Sequence, residues 1–299
     1  MISRRELLAG ALLAGPALRA ARTGARTAGH TAAYRGPDAR EPFAALERLH
    51  GGRLGVAVLD TATGHARGYR EDERFPLCST FKLLAAACVL ARVDRQRERL
   101  TRRVVYGHDA IVPNSPTTEE HAGGEGLTVG ALCEAAVTLS DNTAGNLLLD
   151  SFGGPAALTG YLRTLGDPVT RLDRREPAMN VTRPGDPRDT TTPRAMLGLV
   201  RATVLGTALS SASREQLTAW MVATTTGGRR LRAGVPDGWR VGDKTGTGPD
   251  PRHATNDVAV IWPPRRAPIV VTAYYVDGPA PDDVRDAVLA EVGRLATAG

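Results

Sequence analysis

Leu54-Gly55-Val56-Ala57-Val58-Leu59 is a nearly uninterrupted apolar run, and it predicts a β-strand close to the start of the folded chain. A turn at Asp60-Thr61-Ala62-Thr63-Gly64 and a second short strand ending at Tyr69 follow it. Three further strands are predicted near the other end of the chain, at residues 239–244, 256–262 and 268–276, each bounded by Gly, Pro or Asp. The short connections between strands favour a mostly antiparallel sheet that is assembled from both ends of the chain.

The residues between these two groups of strands carry helical spacing and helix caps. Helices are predicted at residues 79–92, 128–139, 143–151, 154–165, 192–205 and 213–224. A last helix over residues 281–298 and an early one over 43–50 each have an apolar face that can cover the sheet. The sequence therefore predicts an α+β fold in which a helical lobe is inserted into a sheet lobe.

Composition excludes several classes of protein. The chain has 299 residues, of which 42% are hydrophobic and 23% charged, so it is neither disordered nor a polytopic membrane protein. Residues 1–30 hold five Arg against the single Glu6, which accounts for +4 of the net charge of +6. The remaining +2 gives no broad basic surface, and nucleic acid is not an expected partner.

The amino terminus predicts an export signal. Ser3-Arg4-Arg5-Glu6-Leu7-Leu8 is followed by an apolar run to about Leu18, which is too short to span a bilayer. The paired Arg favours the twin-arginine kind of signal, and residues 1–38 are assigned to the signal and a spacer, with no membrane span in the mature protein. The alternative is a frayed amphipathic helix.

Lysine is scarce in this chain. Of 38 basic residues, only Lys82 and Lys244 are lysine, so 38 − 2 = 36 are arginine. Lys is kept over Arg where a compact ammonium or an amine that can lose its proton is needed, and both positions are candidates for function. The three cysteines and six histidines form no CxxC, HxH or HExxH pattern, so no metal site or cofactor is expected.

Ser79-Thr80-Phe81-Lys82 opens an apolar helical run and places a hydroxyl and an amine on one helical face. Burial lowers the pKa of an amine, and such an amine can accept the proton of the Ser79 hydroxyl. The alternative is a plain helix N-cap with a Lys that extends to solvent.

Two further motifs are weak on their own. Ser140-Asp141-Asn142-Thr143 lies between two predicted helices, where it is also typical of a cap and turn. Lys244-Thr245-Gly246-Thr247 lies on a predicted strand, where the ammonium would attract a carboxylate and the glycine would admit close approach. The alternative for Lys244 is an exposed strand lysine.

A fourth candidate is the charged, proline-rich segment of residues 171–189. Arg174 is expected to pair with Asp189 and close the ends of a structured loop. Within that loop, the carboxylate of Glu176 and the amide of Asn180 are four residues apart, a pair suited to hold and deprotonate a water.

In order and spacing the four motifs match one family, and from about residue 43 to its end the chain resembles the class A serine β-lactamases. The resemblance implies a β-lactamase/transpeptidase-like fold with a three-layer α/β/α sandwich lobe at residues 39–70 and 231–299 and an all-helical lobe at 71–230. It also implies hydrolysis of penicillins and cephalosporins by an exported, secreted or periplasmic, monomeric enzyme that contributes to antibiotic resistance.

The same resemblance implies a role for each motif residue. Ser79 would be acylated, Lys82 and Glu176 would share its activation, Glu176 with Asn180 would activate the deacylating water, and Ser140 would protonate the lactam nitrogen. Asn142 would hold the substrate's side-chain amide, and the backbone N–H groups of Ser79 and Thr247 would form the oxyanion hole. The residues implied in carboxylate binding and in shaping the cleft are Lys244, Thr245, Gly246, Thr247 and, among three neighbouring arginines, Arg230.

The chain departs from the family pattern at the cleft mouth. Asn114 stands where many members carry an aromatic residue, and residues 249–253 form a proline-rich rim. Cys78 precedes the nucleophile; members that bridge this cysteine have a Cys where Gly248 stands here, so we expect no such bridge. Two other functions remain open on sequence alone: a slowly deacylating penicillin-interactive D,D-peptidase or esterase, and a non-catalytic cell-wall-binding protein, which intact motifs disfavour.

Overall fold

The computed structural model describes residues 40–249, 251–279 and 281–298. The predicted export signal and spacer therefore lie outside the described residues, and the predicted lobe boundaries stay predictions. The strands are β1 Arg53–Asp60, β2 Ala66–Tyr69, β3 Phe75–Pro76, β4 Arg103–Val104, β5 Leu127–Thr128, β6 Thr190–Thr191, β7 Arg240–Thr247, β8 Thr255–Trp262 and β9 Ile269–Val276. The α-helices are α1 Glu41–His50, α2 Phe81–Asp94, α3 Pro116–Glu120, α4 Val129–Thr138, α5 Asn142–Phe152, α6 Gly154–Thr164, α7 Pro193–Val200, α8 Ser211–Val222 and α9 Asp282–Thr297.

The main sheet has the strand order β2-β1-β9-β8-β7, and every neighbouring pair is antiparallel. Strand β1 pairs with β9, with Val56 opposite Ala273, so the two ends of the chain meet in the centre of the sheet. Strand β7 forms one edge, where Lys244 is opposite Val258 of β8. The predicted α+β fold, with an antiparallel sheet assembled from both ends of the chain, is confirmed.

The sheet is covered on both faces. Helices α1 and α9 pack on one face, with Phe43, Leu54, Tyr275 and Leu289 in that layer of the core. The other face is covered by the helical region, whose core includes Phe75, Leu84, Leu148, Met221 and Val260. Burial on both faces explains why the apolar runs of residues 54–59 in β1, 258–262 in β8 and 269–271 in β9 do not alternate with polar residues.

Helix α2 runs through the middle of the helical region. Its residues from Phe81 to Ala91 are all buried, which is what an apolar circumference requires. Because Lys82 lies within this buried run, its ammonium is held inside the protein, and the alternative of a Lys that extends to solvent is wrong.

Some elements differ from the sequence-based expectation. The helix predicted over residues 192–205 ends at Val200 and continues as a π-helical turn, Arg201–Leu205. Its start is as expected, because the Thr192 side chain accepts a hydrogen bond from the backbone N–H of Ala195. Within the described ranges, no helix combines the length and apolar character that crossing a bilayer requires.

Candidate active site

Ser79 lies on a 3-10 turn, Cys78–Thr80, that leads directly into α2. Its hydroxyl oxygen is 2.8 Å from Lys82 Nζ and 3.2 Å from Glu176 Oε1. No side-chain cap bond is formed at the start of α2, so the N-cap interpretation of Ser79 is wrong. The hydroxyl instead lies between an amine and a carboxylate, either of which can take its proton.

Lys82 is surrounded by acceptors. Its Nζ lies 2.6 Å from Asn142 Oδ1, 2.8 Å from the carbonyl oxygen of Ser140 and 3.2 Å from Glu176 Oε1. Burial lowers the pKa of Lys82, and the Glu176 carboxylate partly opposes that effect. The group is therefore easier to deprotonate than an exposed lysine.

Glu176 is fixed from both sides. Its Oε2 accepts a 2.5 Å hydrogen bond from Asn180 Nδ2. Its backbone N–H donates to Asn146 Oδ1, and its carbonyl accepts from Asn146 Nδ2, each at 3.0 Å. Arg174 pairs with Asp189 at 2.6 Å, as the sequence predicts, which joins the two ends of the loop that carries Glu176.

Asn146 is a site residue that the sequence interpretation missed. It lies on α5 one turn after Asn142 and holds the Glu176 backbone with both ends of its amide. The sequence does contain a signal for Asn146: it is a polar amide with low helix propensity, and it lies one helical turn beyond a motif residue.

Ser140 lies between α4 and α5 with a positive φ of 60°. Its hydroxyl accepts a 3.0 Å hydrogen bond from Lys244 Nζ and lies 3.4 Å from Lys82 Nζ. The cap interpretation of this motif holds for Asp141 alone, whose side chain accepts from the backbone N–H of Ala144 at the start of α5. Ser140 thus joins the two lysines of the chain.

Lys244 is fully buried on β7, so its interpretation as an exposed strand lysine is wrong. Burial, followed by the positive charge of Lys82, lowers the pKa of Lys244 well below the ordinary lysine value of 10.5. Gly246 lies against the nucleophile turn, since a Cβ there would be 3.0 Å from the carbonyl oxygen of Leu77 and 3.2 Å from Cys78 Cβ. This close approach brings the end of β7 beside Ser79.

Arg230 is the arginine that reaches the cleft. It donates to Thr247 Oγ1 at 2.8 Å and to the carbonyl oxygen of Gly246 at 3.0 Å, and its Nε pairs with Asp286 at 2.7 Å. The neighbouring Arg232 pairs with Asp243 instead.

Several of these side chains line one cleft of about 420 Å³, and the others lie behind them. Its lining includes Ser79, Asn114, Leu139, Ser140, Asn142, Asn180, Thr226, Arg230, Thr245 and Thr247. A larger cavity of about 480 Å³ beside Arg53 is lined in part by residues 182–186 but by none of the predicted site residues, so size alone does not mark the site. The cleft instead brings together a hydroxyl with two proton acceptors and a cationic edge strand.

Comparison with known proteins identifies the family. A model described as the β-lactamase enzyme family matches residues 38–298. β-Lactamase L2 of Stenotrophomonas maltophilia is 48% identical over 277 residues, which cover 91% of this chain and 90% of that protein. The carbapenem-hydrolyzing β-lactamase KPC of Klebsiella oxytoca is 48% identical and covers 87% of this chain and 88% of its own length. The solved ancestral (GNCA) class A β-lactamase superposes with a TM-score of 0.84 at 64% identity, covering 86% of this chain and 98% of its own.

The chain belongs to the class A serine β-lactamases. This β-lactamase is a hydrolase that opens β-lactams and thereby confers antibiotic resistance. The alternative of a slowly deacylating penicillin-interactive D,D-peptidase or esterase is not favoured, and neither is a non-catalytic role.

Asn114 and Cys78 are two positions at which the sequence predicts that this β-lactamase departs from the pattern of its family. Asn114 lines the cleft, has a positive φ of 63° and donates from Nδ2 to the carbonyl oxygen of Ser140 at 3.3 Å. The cysteines 78, 88 and 133, all within the described residues, are free and buried, in agreement with the expectation that Cys78 is unbridged. A Cβ at Gly248 would lie 3.1 Å from Cys78 Sγ, so a cysteine at this position would be close enough to bridge Cys78.

Proposed function

We propose that this β-lactamase acts through an acyl-enzyme on Ser79 and that Glu176 activates the water that releases it. The observation that carries the proposal is the position of Ser79 Oγ, which is hydrogen-bonded to both Lys82 and Glu176. A serine hydroxyl is a weak nucleophile until an adjacent base takes its proton. Two such bases lie within hydrogen-bond distance.

In the acylation step, Ser79 Oγ bonds to the lactam carbonyl carbon and its proton passes to Lys82 or Glu176. The carbon–nitrogen bond of the ring then breaks, and the nitrogen receives a proton from Ser140. The contacts of the Ser140 hydroxyl with both lysines support this relay, because each can replace the proton that Ser140 gives away.

The carbonyl oxygen that becomes negative needs two donors. The backbone N–H groups of Ser79 and Thr247 are proposed for this role, supported by the close packing of Gly246 on the nucleophile turn. Donors fixed in this way stabilise a developing oxyanion without rearranging, and one such donor contributes about 3–4 kcal/mol.

The substrate's carboxylate is proposed to bind at the end of β7. Lys244, Thr245 and Thr247 provide an ammonium and two hydroxyls, and Arg230 holds Thr247 with a charged hydrogen bond. Asn142 is proposed to hold the side-chain amide of the substrate. Its own amide group is held in a fixed orientation, because Oδ1 accepts from Lys82 and Nδ2 donates to the carbonyl oxygen of Pro113.

Deacylation is proposed to use a water between Glu176 and Asn180. Asn180 donates to Glu176 from Nδ2, and among the described residues its buried Oδ1 has no hydrogen-bond partner. A buried acceptor requires a donor. A water that donates one proton to Asn180 Oδ1 and the other to Glu176 meets that requirement and is aligned for deprotonation.

The test is E176Q with benzylpenicillin. The amide retains the shape of the side chain but removes its basicity, so we expect a burst of about one equivalent followed by a stop, with the acyl-enzyme visible by intact mass. E134Q, at an exposed position on α4, is the matched control and should turn over like the wild type. Unchanged steady turnover by E176Q would refute the assignment of the deacylation base.

The export route and the oligomeric state of the enzyme are also part of the proposal. The paired Arg4-Arg5 before an apolar run supports export by the twin-arginine route, and we propose that the mature enzyme acts as a monomer in the periplasm or outside the cell. Replacing both arginines with lysine should retain the precursor in the cytoplasm, and sedimentation of the mature enzyme should give the monomer mass.

A further inference from the structure

Three consecutive threonines connect the two sides of the cleft. Thr224 donates from its hydroxyl to the carbonyl oxygen of Asp243 on β7 at 2.8 Å. Thr225 donates from its backbone N–H to the carbonyl oxygen of Thr138, the last residue of α4, at 3.1 Å. Residues 224–226 are therefore held both to the strand that carries Lys244 and to the helix end that precedes Ser140.

The third threonine faces the cleft. Thr226 is exposed and lines the same cavity as Ser79, and its hydroxyl lies 2.7 Å from that of Thr245. Thr226 lies outside the four motifs, and a threonine in a Thr-Gly-Gly loop has no chemical signature of its own.

A threonine hydroxyl carries one proton, so it donates one hydrogen bond while it accepts others. If Thr245 donates to Thr226, it has no proton left for a substrate carboxylate. If Thr226 donates to Thr245, the Thr245 proton is free to point into the cleft, and the chain of hydrogen bonds strengthens it as a donor. Only the second arrangement is compatible with carboxylate binding at Thr245.

We propose that Thr226 is a positioning residue for the substrate carboxylate, which acts by donating its hydroxyl proton to Thr245 and so orienting the Thr245 hydroxyl towards the substrate. The inference rests on the proposed function, in which Thr245 contacts that carboxylate. It adds to that function a residue outside the motif and a direction for the hydrogen bond.

The experiment compares T226V with T226S on benzylpenicillin. Valine keeps the shape without the hydroxyl, and we expect kcat/KM to fall roughly three- to tenfold through KM, with kcat unchanged, because one hydrogen bond that orients a binding group is lost. T226S restores the hydroxyl and should restore KM. T101V, at an exposed threonine outside the cleft lining, is the matched control and should stay within about twofold of the wild type.

A double-mutant cycle separates positioning from a local structural role. In a T245V background, T226V should have no further effect on KM, because the hydroxyl that it orients is gone. An equal loss in both backgrounds, or no loss in the wild-type background, would overturn the proposal. Thermal melting of each variant establishes that it is folded.

Failure of this inference is distinguishable from failure of the proposed function. Continued ring opening by the wild type, together with a stalled acyl-enzyme in E176Q, tests the function without Thr226. If both hold and T226V is indistinguishable from the wild type, only the role of Thr226 is wrong. If the wild type opens no ring, the proposed function fails first.

Discussion

Lys82 Nζ lies 3.2 Å from Glu176 Oε1, and neither side chain is exposed to solvent. Burying two charges carries a desolvation cost that the attraction between them offsets only in good geometry. Here the remaining donors of Lys82 reach Asn142 and Ser140, and the second oxygen of Glu176 reaches Asn180. The arrangement places an amine and a carboxylate, each within hydrogen-bond distance, beside the Ser79 hydroxyl.

The first prediction concerns the amine of Lys82. K82R should lower kcat/KM for benzylpenicillin by roughly 10²- to 10⁴-fold, because a guanidinium keeps its proton at working pH and cannot take one from Ser79. Steady-state kinetics measure the loss. R97K, an exchange between the same residue types at an exposed position, should be unaffected. Activity retained by K82R would confine Lys82 to an electrostatic role.

The second prediction follows from the lowered pKa of Lys244. Below its pKa in the folded protein, Lys244 is an ammonium and attracts the substrate carboxylate, and above it the attraction is lost. Burial and the charge of Lys82 lower that pKa, so KM for benzylpenicillin should begin to rise at a pH below 10.5, the ordinary pKa of lysine. Circular dichroism at each pH establishes that the protein remains folded.

K244R is the matched variant for this pH dependence. Arginine stays charged throughout the range, so its KM, whatever its absolute value, should not rise with pH over the same interval. A wild-type KM that is flat up to pH 10.5 would contradict a lowered pKa of Lys244, and the same rise in K244R would show that another group is responsible.

The third prediction concerns Asn146 on α5. N146A removes two hydrogen bonds and leaves the Glu176 N–H and carbonyl without them, which should cost about 2–4 kcal/mol in the free energy of unfolding. The loop that holds Glu176 would shift, so release of the acyl-enzyme should slow by at least roughly tenfold. Urea unfolding and single-turnover kinetics measure the two effects.

N114G is the stability control for N146A. Asn114 is exposed, its side-chain bond to Ser140 is long at 3.3 Å, and glycine adopts its positive φ of 63° without strain, so this change should alter the free energy of unfolding by less than about 1 kcal/mol. If N146A were as stable as N114G and deacylated normally, Asn146 would not hold Glu176 in place.

The fold was predictable because its elements have strong local signals. The β1 run of residues 54–59 and the apolar circumference of α2 are local in sequence, and they define the sheet and the buried helix. The scarcity of lysine singled out Lys82 and Lys244, and both are fully buried and hydrogen-bonded to Ser140, which lines the cleft. The sequence therefore predicts a functional residue where its type is unusual, as a lysine is in this arginine-rich chain.

The partners of those groups were not predictable, because they depend on tertiary contacts. Asn146 reaches Glu176 across 30 positions of sequence, and Thr226 reaches Thr245 across 19. The choice among Arg229, Arg230 and Arg232 was likewise decided by which one meets Thr247. Neutral amides and hydroxyls are common in loops and helices, and only their partners give them a role.

The last prediction concerns the thiols. Because all three cysteines are free, the denatured protein should gain three alkyl groups by intact mass when it is treated without reductant. Cys78 resists alkylation in the folded state, since burial raises the pKa of its thiol to about 12. In G248C a new Cβ would lie 3.1 Å from Cys78 Sγ, close enough for a bridge to form with a small backbone adjustment.

Oxidised G248C should therefore gain two alkyl groups instead of four, and reductant should restore all four. G160C is the matched control, because Gly160 is exposed on α6, has no positive φ and has nothing within 4 Å of a Cβ built there, so its new thiol should remain available. Four alkyl groups on oxidised G248C would mean that the end of β7 lies further from the nucleophile turn than the packing of Gly246 and Gly248 indicates. A wild-type gain of one group instead of three would mean that two of the cysteines pair.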